Sequence, residues 1–393
     1  MIELDDDVVV VGGSIAGVTV VEELLRLGHQ GSITLVDVED ADPYARPPLS
    51  KAVLSGSDTP ESTLLPRLDR SRVQHLRGRL AVGLDVDRGV IEMADGGDLA
   101  YAGLVIASGA RARTLADLGR NSTGIEERVV RTLDDARELR ADVQHASSIA
   151  IVGGGVLGME LASVATAMGL HTTVISDEQP LLRLCGTFVS DLVARRARAH
   201  GVNIVIDANG AHLVDHGGRL AVKYANSVVE ADLVVSAVGD VPNVEWLKTS
   251  GVAHQPGVVV DSRCRVSERI VAAGDVVAFG TPPRRSPHWS SAIDQARVAA
   301  AALVLGDSAG AHSPRPYFWT DQFDLALKIG GATPFVGEPH VIEGSVAELQ
   351  ALVQWTDGGR PRGALAINKR MPISRLHTAA GNPSSHSHLG ANE

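Results

Sequence analysis

The sequence predicts an α/β chain built from two copies of one strand–turn–helix–strand unit, followed by a smaller α+β segment. The stretches Val9-Val10-Val11-Gly12-Gly13-Ser14-Ile15-Ala16-Gly17 and Ile151-Val152-Gly153-Gly154-Gly155-Val156-Leu157-Gly158 are glycine-rich turns of the same kind. Each follows a β-branched run and opens an Ala/Leu-rich helix that stops at a glycine, Gly28 in the first copy and Gly169 in the second. Such a turn sets backbone N–H groups and a helix N-terminus against a pyrophosphate, and only small residues let the backbone come that close. Two turns in one chain imply two dinucleotides held face to face, which suits transfer from a nicotinamide to a flavin.

The 393 residues exceed what one hydrophobic core organises and suit two or three domains. At 44% hydrophobic and 21% charged, the composition is ordinary for a globular protein. The opening Met1-Ile2-Glu3-Leu4-Asp5-Asp6-Asp7 is acidic where an export signal is basic. No apolar run approaches the roughly 18 residues that span a bilayer. A cytoplasmic protein without a membrane partner is therefore expected. The formal charge of −11 argues against nucleic-acid binding. One run departs from it: Arg360, Arg362, Lys369, Arg370 and Arg375 lie between Gly358 and Gly381 with no Asp or Glu among them. It reads as a solvated rim or as a site for an acidic partner. Cys185 and Cys264 stand alone, without C-x-x-C or metal-ligand spacing, so core or loop positions and no metal are expected.

The first unit runs from Val8 to about Val38. Its second strand, Ser32–Val36, ends in Asp37-Val38-Glu39. Asp37, about 20 residues beyond Gly17, stands where an acid accepts from a ribose hydroxyl, with Glu39 as the alternative. Alternation over Leu80–Met93 and Tyr101–Ala107 predicts further strands. The second unit starts at Ile149, and its second strand is Thr172–Ile175. A strand over Ala231–Val238 enters Gly239-Asp240-Val241-Pro242-Asn243, and one at Ile270–Ala273 enters Gly274-Asp275. Ala292–Leu305 reads as a helix ending at Gly306, capped by Ser290 or Ser291. After Pro314–Pro316, alternating segments predict a third, smaller domain. From Asn382 the composition predicts a disordered tail, with His386 and His388 loose rather than metal-bound.

Together these landmarks resemble the FAD- and NAD(P)-dependent ferredoxin reductases of the putidaredoxin-reductase and biphenyl-dioxygenase-reductase types, which feed bacterial cytochrome P450 and ring-hydroxylating oxygenase systems. The resemblance covers nearly the whole chain. Its most specific carriers are Arg46-Pro47-Pro48-Leu49-Ser50-Lys51 and Phe318-Trp319-Thr320-Asp321-Gln322. Val105–Gly109, Gly239–Asn243 and Ala273-Gly274-Asp275 recur in the wider group of two-dinucleotide reductases. The resemblance implies two Rossmann-like domains: an FAD-binding domain of residues 1–109 and 240–313, split around an NAD(P)-binding domain of residues 110–239. A C-terminal interface domain, 314–381, and the tail, 382–393, follow.

It also implies residue roles. For FAD these are Gly12, Ser14, Ala16 and Gly17 at the first turn, Asp37 or Glu39 at the ribose, and Arg46, Ala81, Ala107, Gly109 and Gly239. Arg131 is a further FAD contact, at the pyrophosphate. Asp275 holds the ribityl chain, and the helix starting near Trp289 aims its N–H groups at the flavin pyrimidine edge. Gly153, Gly155, Gly158, Ser176 and Asp177 fall to the nicotinamide nucleotide. Lys51 lies beside the flavin N5 edge in the family and pairs with Glu160. A buried ammonium needs a carboxylate, and its charge favours electron density on the reduced ring. Without the flanking motif, Lys51 would read as an exposed loop lysine and Glu160 as a first-turn acid favoured by the helix dipole. Trp319 shields the isoalloxazine or nicotinamide face, or is a core ring at a domain junction.

Several positions depart from the family. Ser14 replaces the middle glycine of the first turn, Val38 replaces an acid, and Pro287 stands where relatives often carry glutamate. Ser176 falls where NADH users place Glu or Asp. Asp177 and Glu178 follow it and repel a 2′-phosphate, and no arginine is adjacent to bind one, which favours NADH over NADPH.

The implied reaction passes a hydride from NAD(P)H to FAD and then single electrons to an iron–sulfur ferredoxin, of [2Fe-2S] type. Position and the cofactor suffice, without a general acid or nucleophile. Disulfide reductases need a cysteine pair that this chain lacks, and single-cysteine NADH oxidases and coenzyme-A disulfide reductases carry a cysteine near Ala45 and Arg46. A reductase of rubredoxin or another carrier, and a non-enzymatic NAD(H)-sensing flavoprotein resembling apoptosis-inducing factor, are the alternatives. Monomer and homodimer both stay open.

Overall fold

The computed structural model describes residues 1–252 and 254–382; the expected tail from Pro383, with its histidines, lies outside the described residues. The chain forms two compact units. One comprises Met1–Ala45, Glu61–Arg111 and Val241–Pro314; the other comprises Arg46–Pro60, Ala112–Asp240 and the chain from Arg315 onward.

In the first unit five parallel strands run in the order Ile270–Ala272, Gly103–Ile106, Val8–Val11, Ile33–Val36, Val73–Leu76. Every residue of the three central strands is buried. That is why they read as unbroken apolar runs rather than alternations: a parallel sheet is covered on both faces. Val8, Val10, Ile33 and Leu35 point towards the helices Ile15–Arg26 and Trp289–Leu305, where Val20, Leu24, Ala296 and Ala299 meet them. Val9, Val11 and Val36 point the other way, onto Leu84, Ile91, Trp246 and Leu247.

The helix Trp289–Leu305 begins where the resemblance puts it, at Trp289, and not at Ala292, the start read from the residues alone. His288 is its N-cap residue, and Ser290 and Ser291 lie inside the first turn. Packing sets this boundary rather than a serine cap: Ala292, Gln295 and Ala296 are buried, and Gln295 Oε1 accepts from the Gly274 N–H at 2.8 Å. Its end at Gly306 is as the sequence predicts.

The second unit repeats the plan with four parallel strands, in the order Asn203–Ile206, His171–Ser176, Ser148–Val152, Leu233–Ser236. The helix Leu133–Val143 was not predicted. Its sequence signal is a capping box, in which Thr132 Oγ1 accepts from the Asp135 N–H at 3.1 Å and Asp135 Oδ2 accepts from the Thr132 N–H at 2.7 Å.

The same unit holds an antiparallel sheet in the order Tyr317–Gln322, Leu325–Gly331, Arg360–Ile367, Gln350–Asp357, His340–Ser345. Trp355 joins this sheet to the helix Thr187–Ala199. It stacks on Phe335 at 4.0 Å and meets Phe188 edge-on at 5.6 Å. Asp324 adds ion pairs with Arg196 and with His200 Nε2, the latter at 2.6 Å. No helix among the described residues is long and apolar enough to cross a membrane. Among them no cluster of three or more His, Cys, Asp or Glu could hold a metal ion.

Candidate functional site

The first glycine turn leaves the central strand Val8–Val11. Gly12 has φ +118°, and a Cβ there would strike the carbonyl oxygen of Ala107, while one on Gly17 would strike that of Gly12. Gly13 lies against the Asp37 carboxylate, and Asp37 Oδ1 accepts from the Glu39 N–H at 3.3 Å. Glu39 instead receives the Tyr44 hydroxyl at 2.5 Å. Of the two acids named for the ribose, Asp37 is the one on the turn. Val38, between them, is exposed.

Ser14 is the N-cap residue of the helix but makes no side-chain cap bond. A Cβ on Gly274 would stand 2.9 Å from Ala16 Cβ, so Gly274-Asp275 lies beside the first turn. The Asp275 carbonyl accepts from Arg285 Nη1 at 3.0 Å. Burial holds the His288 imidazole below its ordinary pKa, against the pull of nearby Asp275, and Trp289 follows it as the first helical residue. Gly109, with φ +65°, is fixed through its carbonyl, which accepts from the Asn243 N–H at 3.0 Å. Ala81 packs in the apolar cluster of Val9, Val11 and Val36.

The second turn repeats this geometry. Gly153 has φ +116°, a Cβ there would strike the Ala237 carbonyl, and one on Gly158 would strike the Gly153 carbonyl. Gly155 is the N-cap residue; it makes no side-chain bond, and a Cβ on it would have nothing within 4 Å. The residues therefore fit a dinucleotide. Each strand-side glycine is forced by the adjoining backbone, and each helix begins with no side chain satisfying its first N–H groups, which suits a pyrophosphate.

Ser176, 7% exposed, faces into the turn: its Oγ accepts from the Gly154 N–H at 3.2 Å. The Leu181 N–H donates to the Gly154 carbonyl at 2.9 Å, with Leu181 at φ +59°. These bonds pin the loop 176–181 on the turn. Asp177 and Glu178 project from it, and the chain returns Arg183 to both. Arg183 Nη2 lies 3.2 Å from Asp177 Oδ2, and its Nε lies 3.3 Å from Glu178 Oε1. The expectation that no arginine stands by these acids is corrected. The turn at Pro180-Leu181 brings back a residue that linear adjacency misses. Gly239, at φ +104°, accepts from the Arg113 N–H at 3.0 Å through its carbonyl.

The third group centres on Glu160, 3% exposed on the helix Val156–Ala167. Lys51 sits on a π-helical turn, Leu49–Val53, a local widening common at functional sites. Its Nζ lies 2.8 Å from Glu160 Oε2, which also accepts from Ser50 Oγ at 2.7 Å. Glu160 Oε1 accepts from Thr320 Oγ1 at 2.7 Å, and Thr320 Oγ1 accepts in turn from Gln322 Nε2 at 2.9 Å. Sequence reasoning gave no role to Ser50, Thr320 or Gln322, although each lies in one of the two most specific motifs. Their signal is a set of polar residues inside apolar stretches. Arg46 Nη1 donates to the Arg131 carbonyl at 2.7 Å, which joins those two predicted contacts.

Trp319 is not part of this network. Side chains alternate along a strand, so with Thr320 reaching Glu160, Trp319 takes the opposite face, 5.9 Å from Tyr317 and packed on Leu376 and its neighbours. In the basic run Lys369 Nζ and Arg375 Nη2 share Glu343, at 2.5 and 2.6 Å, and Arg362 lies 3.6 Å from Asp357. Cys185 and Cys264 are free and buried, and burial pushes both thiols up to about 12.

The profile of the pyridine nucleotide-disulphide oxidoreductases matches residues 6–299. Rhodocoxin reductase of Rhodococcus erythropolis is 33% identical over 384 residues, which cover 95% of this chain and 88% of that protein. The anthranilate 1,2-dioxygenase system ferredoxin–NAD(+) reductase component of Burkholderia cepacia is 32% identical over 390 residues, covering 96% and 95%. Rubredoxin–NAD(+) reductase of Pseudomonas putida is 32% identical over 338 residues, covering 83% and 86%. The solved covalent complex of putidaredoxin reductase with putidaredoxin contains a chain that superposes with a TM-score of 0.83 at 28% identity, covering 95% of this chain and 92% of that one. The resemblance seen in the motifs is borne out: this chain belongs to the pyridine nucleotide-disulphide oxidoreductase family.

Proposed function

We propose that this chain is an FAD-containing reductase that takes electrons from NAD(P)H, with NADH preferred, and delivers them singly to a small iron–sulfur protein of the [2Fe-2S] ferredoxin type. The duplicated glycine turn carries this reading, since its two copies prepare two helix N-termini for two pyrophosphates. The relatives named as ferredoxin–NAD(+) reductases support it. In this reading FAD is held by 1–109 with 240–313, the nicotinamide nucleotide by 110–239, and 314–381 forms the interface region. The cytoplasm is its proposed location, on the sequence argument given above.

When bound, the flavin accepts two electrons and releases them one at a time. The chain's own residues bind, orient and hold charge. Gly12, Ser14 and Gly17 bring the first helix start to one pyrophosphate, with Asp37 placed for the adenosine ribose. Gly153, Gly155 and Gly158 do the same for the other. Lys51 keeps its ammonium beside a carboxylate that three donors hold, so neither charge relies on water for a partner. The basic run offers a dock for an acidic carrier: Arg362 pairs with Asp357 and Lys369 and Arg375 share Glu343, so its five cations outnumber these two acids. Cys185 and Cys264 take no part, because each thiol is buried and stays protonated at neutral pH.

Anaerobic titration of the purified protein with NADH, then NADPH, followed by visible absorbance, tests the reading. Rapid bleaching by NADH is expected. Slow bleaching by both nucleotides would favour a sensor, and a colourless protein that takes up no FAD would overturn the reading of the first turn.

A further inference from the structure

We propose that a groove in the second unit, walled by Arg120, Asp207, His212 and Lys223, binds the phosphate group of a small polar phosphate monoester. The groove is separate from both glycine turns. None of its lining residues belongs to 12–17, to 153–158 or to the loop 176–181.

The groove, about 500 Å³ in volume, lies where three stretches of chain meet: 119–122, 207–210 and the hairpin of His212–His216 with Arg219–Tyr224. Backbone bonds tie each stretch down. The Arg120 N–H donates to the Leu115 carbonyl at 2.7 Å, and the Arg120 carbonyl accepts from the Leu213 N–H at 2.8 Å. Asp207 Oδ1 accepts from the Asn209 N–H at 3.0 Å, and Asp207 Oδ2 accepts from the Ala225 N–H at 2.7 Å. Ala225 has φ +44°, a conformation that an alanine keeps only where its surroundings hold it. The wall is therefore formed before a ligand arrives.

Charge and unused donors define the ligand. Arg120 is half-buried, with its guanidinium laid over buried Gly210, and its side chain makes no hydrogen bond or ion pair among the described residues. Lys223 is exposed, likewise makes no such bond, and stands opposite His212 in the strand register. Asp207 is the one acid on the wall. Its oxygens are taken by the Asn209 and Ala225 N–H groups, which hold its carboxyl below the usual carboxylate range. The wall thus carries two cations against one acid, in a chain of formal charge −11. A guanidinium partly withdrawn from water and lacking a partner gains from an anion that brings matched acceptors. A phosphate monoester carries about −1.5 to −2 charges at neutral pH and fits the guanidinium fork. The volume exceeds what a bare phosphate fills, and Ser122, Asn209 and His212 offer polar groups to the rest of the molecule.

The test is calorimetric titration of the FAD-loaded protein with glycerol 3-phosphate and with inorganic phosphate, each with and without saturating NAD+. Saturable binding of glycerol 3-phosphate is expected in both conditions, tighter than that of inorganic phosphate. Arg120→Gln/Lys223→Gln should weaken it by about ten- to a hundredfold, the size of one to two charge-assisted contacts, and Lys223→Gln alone by about tenfold. Lys248→Gln removes a charge from an exposed position elsewhere and should change nothing. Raising the salt from about 0.05 to 0.5 M should weaken binding to wild type. Both altered side chains reach solvent, so the melting temperature of the variants without ligand should stay within about 2 °C of wild type. Affinity unmoved in the double variant, or an equal loss in Lys248→Gln, would overturn the proposal. Binding that NAD+ abolishes would place the phosphate on a glycine turn, and would overturn it too. Inorganic phosphate bound as tightly as the monoester would assign the groove to free phosphate and overturn the monoester.

Discussion

Replacing Thr320 with valine isolates one bond at the centre of the Glu160 network. Thr320 is fully buried, and valine has nearly its shape, so the change opens no cavity. Two bonds are lost. The hydroxyl no longer donates to Glu160 Oε1, where it sat at 2.7 Å; a hydrogen bond to a charged group contributes about 1.5–3 kcal/mol. The Gln322 amide loses its acceptor at 2.9 Å, and a buried donor left unpaired costs about 1–3 kcal/mol. Gln322 Oε1 already finds no partner among the described residues, so the amide would be left unsatisfied at both ends. A total of about 3 kcal/mol or more follows. For a unit of this size that lowers the melting temperature by about 6–12 °C. Thr320→Ser keeps the hydroxyl and loses one methyl group, a cost of about 1 kcal/mol. Differential scanning calorimetry of the FAD-loaded variants separates the two. A valine variant that melts no lower than the serine variant would refute the assignment of Thr320 as a donor to Glu160.

Other regions of the molecule give further tests. His29 is 1% exposed and neither ring nitrogen has a hydrogen-bond partner among the described residues, so burial holds its pKa below the ordinary value of 6.5. The unfolded chain therefore takes up the proton first: the stability from neutral His29 is complete above about pH 6.5 and is lost as the pH falls, at up to about 1.4 kcal/mol per pH unit. His29→Leu should flatten the fall of melting temperature between about pH 7 and 5, and an unchanged slope would count against it. Gly12→Ala should abolish FAD retention, since it combines φ +118° with a clash on the Ala107 carbonyl. Gly28→Ala, at φ +89° with nothing within 4 Å, should cost about 1 kcal/mol and keep the flavin. Equal flavin content in both variants would refute the steric argument. Reversing Arg360 and Arg370, which unlike Arg375 do not share Glu343, should slow reduction of an acidic iron–sulfur carrier by about tenfold at low salt while sparing ferricyanide. Equal loss with both acceptors would exclude the basic run as the dock.

Much of the site is legible in the amino-acid sequence because it depends on short stretches of chain. The glycine turns fall in this class. A strand that must turn within a few residues, pass under its neighbour's carbonyl and start a helix accepts only small side chains, so Gly12, Gly17, Gly153 and Gly158 announce themselves. Asp37 follows from the same short-range logic. Lys51 and Glu160 could be paired only through the resemblance, since 109 positions along the chain separate them. Thr320 lies 160 residues from Glu160, and Ser50 lies 110 from it. The partners of the basic run are hidden in the same way: a window from 358 to 381 shows no acid, yet Glu343, on the edge strand His340–Ser345, holds Lys369 and Arg375.

Taken by itself, the amino-acid sequence determined the class of fold, its internal duplication, the places where two pyrophosphates would lie and the absence of a cysteine pair. Each of these follows from local backbone geometry or from simple composition. Tertiary structure alone decided which donors hold Glu160, that Trp319 faces away from it, and that Arg183 returns to Asp177 and Glu178. Hydrogen bonds and ion pairs reach only about 3 Å, and the chain distances they close are set by the packing of whole elements, which no local pattern encodes.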